Sequence, residues 1–128
     1  MNNLFLILPL LLVIPVSPVF ATIDDVFTDK SIYYEGDVVI VSGTISSENM
    51  SPAVSVVVLL PDRSNFASIG LPTFANSDGS FSTSITSGGN LWSVEGIYPI
   101  KVTSENHSLE TTIEYFLSPD ESEPTPEP

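Results

Sequence analysis

Leu91–Val102 reads LWSVEGIYPIKV, and the fold turns on how this stretch is read. From Gly96 to Thr103 apolar and polar positions alternate, with Tyr98, Ile100 and Val102 on one side. That period of two belongs to a half-buried strand. Just upstream stands Trp92, the chain's only tryptophan. The stretch is therefore either a binding loop or a joint between a loop and a strand.

The same alternation recurs on both sides of it. Ser80–Thr86 places Phe81, Thr83 and Ile85 inward and Ser80, Ser82, Ser84 and Thr86 outward, directly after the hairpin signal Asp78-Gly79. Val38–Ile45 splits into Val39, Val41, Gly43 and Ile45 against Val38, Ile40, Ser42 and Thr44. The outward rows of these two strands are expected to lie side by side as a flat, uncharged face, either a packing surface for a neighbouring copy or an ordinary wet face. Leu109–Phe116 turns Thr111, Ile113 and Tyr115 inward. Val54–Leu60, VSVVVLL, is nearly all apolar and predicts a central strand buried on both sides. Asp25–Tyr34 reads as one extended run, broken near Lys30, before the turn Glu35-Gly36-Asp37. Arg63–Asn76 is the least regular part. Two short edge strands fit it, with Pro72 barred from a central position. Val57 and Leu59, on the outer side of the central strand, hint at a sticky strip; the alternative, and the expectation, is that this segment covers them. About seven strands at this spacing predict an all-β, antiparallel two-sheet sandwich.

Composition and the chain ends bound the rest. The opening MNNLFLILPLLLVIPVSPVFA suits a signal peptide over residues 1–21, with Val19 and Ala21 at the small positions before a cut. It carries no Lys or Arg ahead of the apolar run, and a retained anchor is the competing reading. Residues 22–117 form the domain. Residues 118–128, SPDESEPTPEP, are acidic, rich in proline and expected to be disordered. Sixteen acidic residues against three basic ones give a net charge of −13, which disfavours nucleic acid and anionic lipid as partners. With no cysteine in the chain, an exported domain of this size has no disulfides and relies on its core.

Two phrases carry a resemblance. YYEGDVVIVSGTI, and SDGSFSTSI followed by EGIYPIKV, are similar to the opening and the later half of immunoglobulin-like and macroglobulin-type domains of exported microbial cell-surface proteins. The resemblance spans most of residues 22–117. It implies an immunoglobulin-like sandwich serving as a structural or adhesion module. It also makes Glu95-Gly96-Ile97-Tyr98 look like a tyrosine corner, in which the ring packs inward and the hydroxyl bonds the backbone upstream. Ile100 stands where antibody domains have a cysteine. Within that pattern Gly96, Tyr98 and Trp92 are structural. For Trp92 two readings stand: a plug at the end of the sandwich with its N–H on a loop carbonyl, or an open face for a sugar or a partner.

Candidate chemistry is sparse. His107 lies in ENHS, a turn, and no serine has a nucleophile-elbow context, so no catalytic residue is assigned. One histidine and no cysteine argue against zinc or copper. Calcium needs only oxygen ligands, and Asp24, Asp25 and Asp29, or Glu35 and Asp37 with Asp62 or Asp78, are its weak candidates beside ordinary surface charge. Asn106-His107-Ser108 and Asn49-Met50-Ser51 are glycosylation sequons, the second impaired by Pro52. The expectation is a non-enzymatic module of the cell envelope, without cofactor. It would bind a protein partner or itself and keep no stable membrane anchor after signal cleavage. The alternatives are a soluble glycan- or calcium-binding protein and an accessory or inhibitor subunit of an exported enzyme.

Overall fold

Asp29, Lys30 and Ser31 divide the first extended run into two strands, and the two halves join different sheets. The computed structural model describes residues 21–48 and 51–117. The signal segment up to residue 20, the Asn49 sequon and the acidic tail 118–128 lie outside the described residues. In chain order the strands are β1 (Thr22–Thr28), β2 (Ile32–Tyr34), β3 (Val38–Ser46), β4 (Ala53–Leu59), β5 (Phe66–Ile69), β6 (Thr73–Phe74), β7 (Ser80–Thr86), β8 (Gly96–Ser104) and β9 (His107–Phe116). One sheet runs β1-β3-β7; the other runs β2-β9-β8-β4-β5, with β6 also paired to β4.

The chain is thus an all-β sandwich, with nine strands among the described residues. The count exceeds seven because the first run splits and because Phe66–Ile69 and Thr73–Phe74 form separate edges. One pair, β2 with β9, is parallel. The split is fixed by Asp29. Its Oδ1 accepts from the Tyr33 hydroxyl at 2.5 Å and from the Ile40 N–H at 3.1 Å, while Lys30 N–H donates to the Tyr33 oxygen at 2.8 Å. One carboxylate therefore ties the end of β1 and the neighbouring β3 to a fully buried ring on β2.

The core lies between the sheets. Val39, Val41, Phe81 and Ile85 face Val54, Val56, Val58, Tyr98, Ile100, Val102, Ile113 and Tyr115, all buried. Gly43 is required by close approach: a Cβ there would meet the Asp25 carbonyl oxygen at 2.2 Å and the Phe81 ring at 2.8 Å. Gly79 closes the Asn76–Gly79 turn at φ +90°, with the Ile45 carbonyl 2.5 Å from where its Cβ would be.

Three readings need correction. β4 is buried on one face only, through Val54, Val56 and Val58. Its other face looks outward, because among the described residues no helix or third layer lies over this sheet. Val57 and Leu59 are not hidden by the Arg63–Asn76 segment; β5 pairs alongside β4 and extends the apolar surface. His107 is not at the tip of the turn but opens β9, opposite Ser104, and its Nδ1 accepts the Ile23 N–H at 3.0 Å. Beside it, Ala21 N–H donates to Glu105 Oε1 at 2.6 Å.

Candidate functional site

The loop from Ser87 to Glu95 closes one end of the sandwich. Ser87 anchors it: its N–H and hydroxyl donate to the Asp37 carbonyl, both at 2.9 Å, and the hydroxyl also reaches the Tyr34 carbonyl at 3.1 Å. Gly88 and Gly89 have φ +104° and +99°, and Trp92 N–H then returns to the Gly89 carbonyl at 3.0 Å. This local turn drives the indole inward, where it is 2 % exposed. Trp92 lies flat on Tyr98, and Tyr115 packs against both rings, edge-on to Tyr98. The Tyr98 hydroxyl donates to the Val94 carbonyl at 2.5 Å, and burial raises its pKa above the ordinary phenol value. Gly96 follows at φ +150°, where a Cβ would meet Pro61.

The indole N–H makes no hydrogen bond to a described residue, so stacking holds the ring, not the loop carbonyl expected for a plug. Nor is there a free face on which a sugar could stack. Tyr115 has the one buried side-chain oxygen without a hydrogen-bond partner among the described residues. Burial first, and then the charge of Glu35, push its pKa up to about 12.

The carboxylates named from the sequence do not converge. Asp24 accepts from Ser46, Asp25 from Thr44, and Asp29 from Tyr33 and Ile40, spread along the β1–β3 pair. Asp37 accepts Tyr34 N–H and lies 3.9 Å from Lys30 Nζ, while Glu35 sits against Gly88. Asp62 and Asp78 cap their own turns through Ser64 and Ser80, bonds that lower both pKa values. Among the described residues no three or more His, Cys, Asp or Glu side chains form a group that could hold a metal ion. Asn106 occupies the exposed two-residue turn between β8 and β9. No described helix is long and apolar enough to cross a membrane.

Two surface features remain. A cleft of about 270 Å³ at the loop end, open to solvent, is lined by Leu60, Pro61, Asp62, Asn90, Leu91, Ser93 and Val94. Of the second feature the sequence showed only Val57 and Leu59. Along the outer face of the larger sheet, Phe74 stands opposite Ala53, Ile69 opposite Val57 and Phe66 opposite Leu59. Phe66, Ile69 and Phe74 are 41 %, 57 % and 63 % exposed, and Leu71 between them is 79 % exposed. From Ala53 to Leu59 this apolar strip runs about 20 Å at the usual rise of a strand. The signal was present in FASIGLPTF, where aromatic and aliphatic residues punctuate an otherwise turn-like segment.

Two sheets sharing one split strand, joined at Tyr98 to the turn before it, define an immunoglobulin-like β-sandwich. Solved structures agree at the level of fold. The chain is similar to the Yersinia pseudotuberculosis adhesin InvE, at 13 % identity over 77 % of this chain and 32 % of that one, with TM-score 0.52. A Paenibacillus cycloisomaltooligosaccharide glucanotransferase matches at 18 % identity over 78 % of this chain and 15 % of that one, TM-score 0.51. The Pseudomonas fluorescens alkylpurine DNA glycosylase AlkC matches at 10 % identity over 75 % and 30 %, TM-score 0.50. The chain spans about a third or less of the length of these structures. No protein-family model matches the sequence, and no curated protein does. A fold shared by an adhesin and by two enzymes leaves function to be argued from the surface.

Proposed function

We propose that the chain is an exported, non-enzymatic immunoglobulin-like module of the cell envelope that acts by protein–protein contact. The observation that carries this reading is the Phe66–Ile69–Leu71–Phe74 strip. Large apolar side chains exposed together cost hydration free energy, and soluble domains keep such patches small unless a partner covers them. The strip is extended along β4, β5 and β6, so it suits a protein surface better than a small molecule. The aromatic residues at the loop end, by contrast, are spent on the core, which takes Trp92 away from glycan binding. The adhesin among the fold neighbours is compatible with the reading.

The test is retention of partners from the organism's own envelope fraction on the immobilised wild-type chain and on an Ile69→Ser/Phe74→Ser variant. The reading expects one or a few proteins retained by the wild type and lost with the variant, whose melting temperature stays within a few degrees. Equal retention by both would remove the strip from the function.

A further inference from the structure

The sequon Asn106-His107-Ser108 is a motif that the contact surface leaves unused. It spans the turn between β8 and β9, where Ser104 pairs with His107, so Glu105 and Asn106 alone make the turn. Asn106 and Ser108 are both exposed. Ser108 belongs to the outer row of β9, since Ile113 and Tyr115 of the other row are buried. The residues that flank the asparagine are held to the start of β1. Glu105 Oε1 accepts the Ala21 N–H at 2.6 Å, and His107 Nδ1 accepts the Ile23 N–H at 3.0 Å. The turn is thus fixed, while the side chains of Asn106 and Ser108 make no hydrogen bond to a described residue.

That freedom separates Asn106 from Asn65 and Asn76. Asn65 Oδ1 accepts the Phe66 N–H, and Asn76 Nδ2 donates to Ser80 Oγ, so those amides serve their own turns. Nor does the backbone ask for asparagine at 106. The left-handed position of the turn, at which asparagine is favoured, is taken by Glu105 at φ +56°, and Asn106 is not among the residues of positive φ. Among the described residues, no packing or capping role accounts for an amide at 106 or a hydroxyl at 108.

We infer that Asn106 carries an N-linked glycan, an inference that rests on the chain being exported and not on the strip. The donor class is a sugar activated as a glycosyl phosphate, which the cell supplies with its transferase. The amide nitrogen Nδ2 attacks the anomeric carbon, and the bond from that carbon to the phosphate oxygen breaks. The phosphate leaves with the electron pair. A carbon–nitrogen bond replaces one N–H of the amide, whose proton passes to a base of the transferase. The Ser108 hydroxyl is the second element of the acceptor sequence.

The site also bears on the strip. Ser104 Oγ donates to the Ala53 carbonyl at 2.7 Å, and Phe74 stands opposite Ala53. From the end of β8 to β6 is two strand spacings, roughly 10 Å. A hydrated glycan on the turn therefore stands beside the Phe74 end of the strip and leaves the Phe66 end for a protein partner.

The experiment is peptide mass mapping of the full chain made by its own cells, with the exported and cytoplasmic fractions kept apart. Cleavage after Lys30, Arg63 and Lys101 puts Asn49 in residues 31–63 and Asn106 in residues 102–128, one sequon in each. The expected result is a 102–128 peptide heavier by whole sugar residues in the wild type and in Ser108→Thr. The increment is absent from Asn106→Gln and Ser108→Ala. Both positions are exposed, and thermal melts check that the variants fold. An exported wild-type chain whose 102–128 peptide is bare, sugar on 31–63 alone, or an increment that survives Asn106→Gln overturns the inference. A bare peptide from an exported chain removes the glycan and leaves export standing; a chain found only in the cytoplasm, and bare, removes both.

Discussion

Trp92 lies flat on Tyr98, with ring centroids 4.8 Å apart and planes 15° apart. The stack sits where the end loop enters β8, so the residue most readily taken for a binding platform serves as packing. The tyrosine beneath it holds the loop by its hydroxyl. Burying two such rings contributes several kcal/mol, which matters in a cysteine-free chain whose sandwich has no disulfide to lean on.

The two neighbouring tyrosines should respond differently to loss of the hydroxyl. Tyr98→Phe removes a donor and leaves the Val94 carbonyl short of a partner, at a cost of about 1–2 kcal/mol. Tyr115→Phe removes an oxygen that has no hydrogen-bond partner among the described residues, and is expected to be neutral or slightly stabilising, within ~0.5 kcal/mol. Urea unfolding of both variants checks the contrast; equal losses would contradict it.

Stability should fall at both ends of the pH scale for identifiable reasons. The Tyr33 hydrogen bond, above all, holds the Asp29 carboxyl below its ordinary 3.8. A depressed folded value means this stabilisation is present above about pH 4 and is lost as pH falls through it. Asp62, Asp78 and Glu110 are lowered too, so Asp29→Asn flattens the acid limb without abolishing it. Tyr33 is pushed from 10.0 up to about 12, by burial first and then by its bond to Asp29. That contribution is complete below pH 10 and is lost as pH rises to about 12. Melting temperature against pH for Asp29→Asn and Tyr33→Phe checks both limbs. An unchanged alkaline limb in Tyr33→Phe would contradict the assignment.

Gly43→Ala should be among the most damaging single-methyl additions in the chain. The new carbon would sit 2.2 Å from the Asp25 carbonyl oxygen, so β1 must leave β3. The expected loss is on the order of 2–4 kcal/mol, with the amides of β1 exchanging faster than those of β8. Gly89→Ala makes no comparable contact and separates steric loss from backbone strain.

The sheets were legible because their inner rows alternate. Val39, Val41, Phe81, Ile85, Tyr98 and Val102 are buried where a period of two puts them. The break at Lys30 was visible, but not that Asp29 would send β2 to the other sheet, since that depends on a bond to Tyr33 formed only in the fold. Nor could VSVVVLL disclose that its outward Val57 and Leu59 stay partly open, because run hydrophobicity reports apolar residues and not what lies above them. The strip was obscured for a related reason. Phe66, Ile69 and Phe74 are separated by Gly70 and Pro72 and share a face only through their pairing with β4. The carboxylates of β1 looked like a cluster in sequence, yet each is occupied by a different backbone or hydroxyl donor.

The claim on which the account rests is that this domain works through its β5–β6 surface. The direct measurement is a photoreactive side chain placed at Leu71, 79 % exposed, in the chain expressed by its own cells, with the same group at Ser84, exposed on the opposite sheet, as the control. The account predicts a discrete protein adduct from position 71, a second copy included, and none from position 84. No adduct at 71, or the same products from both positions, would contradict it.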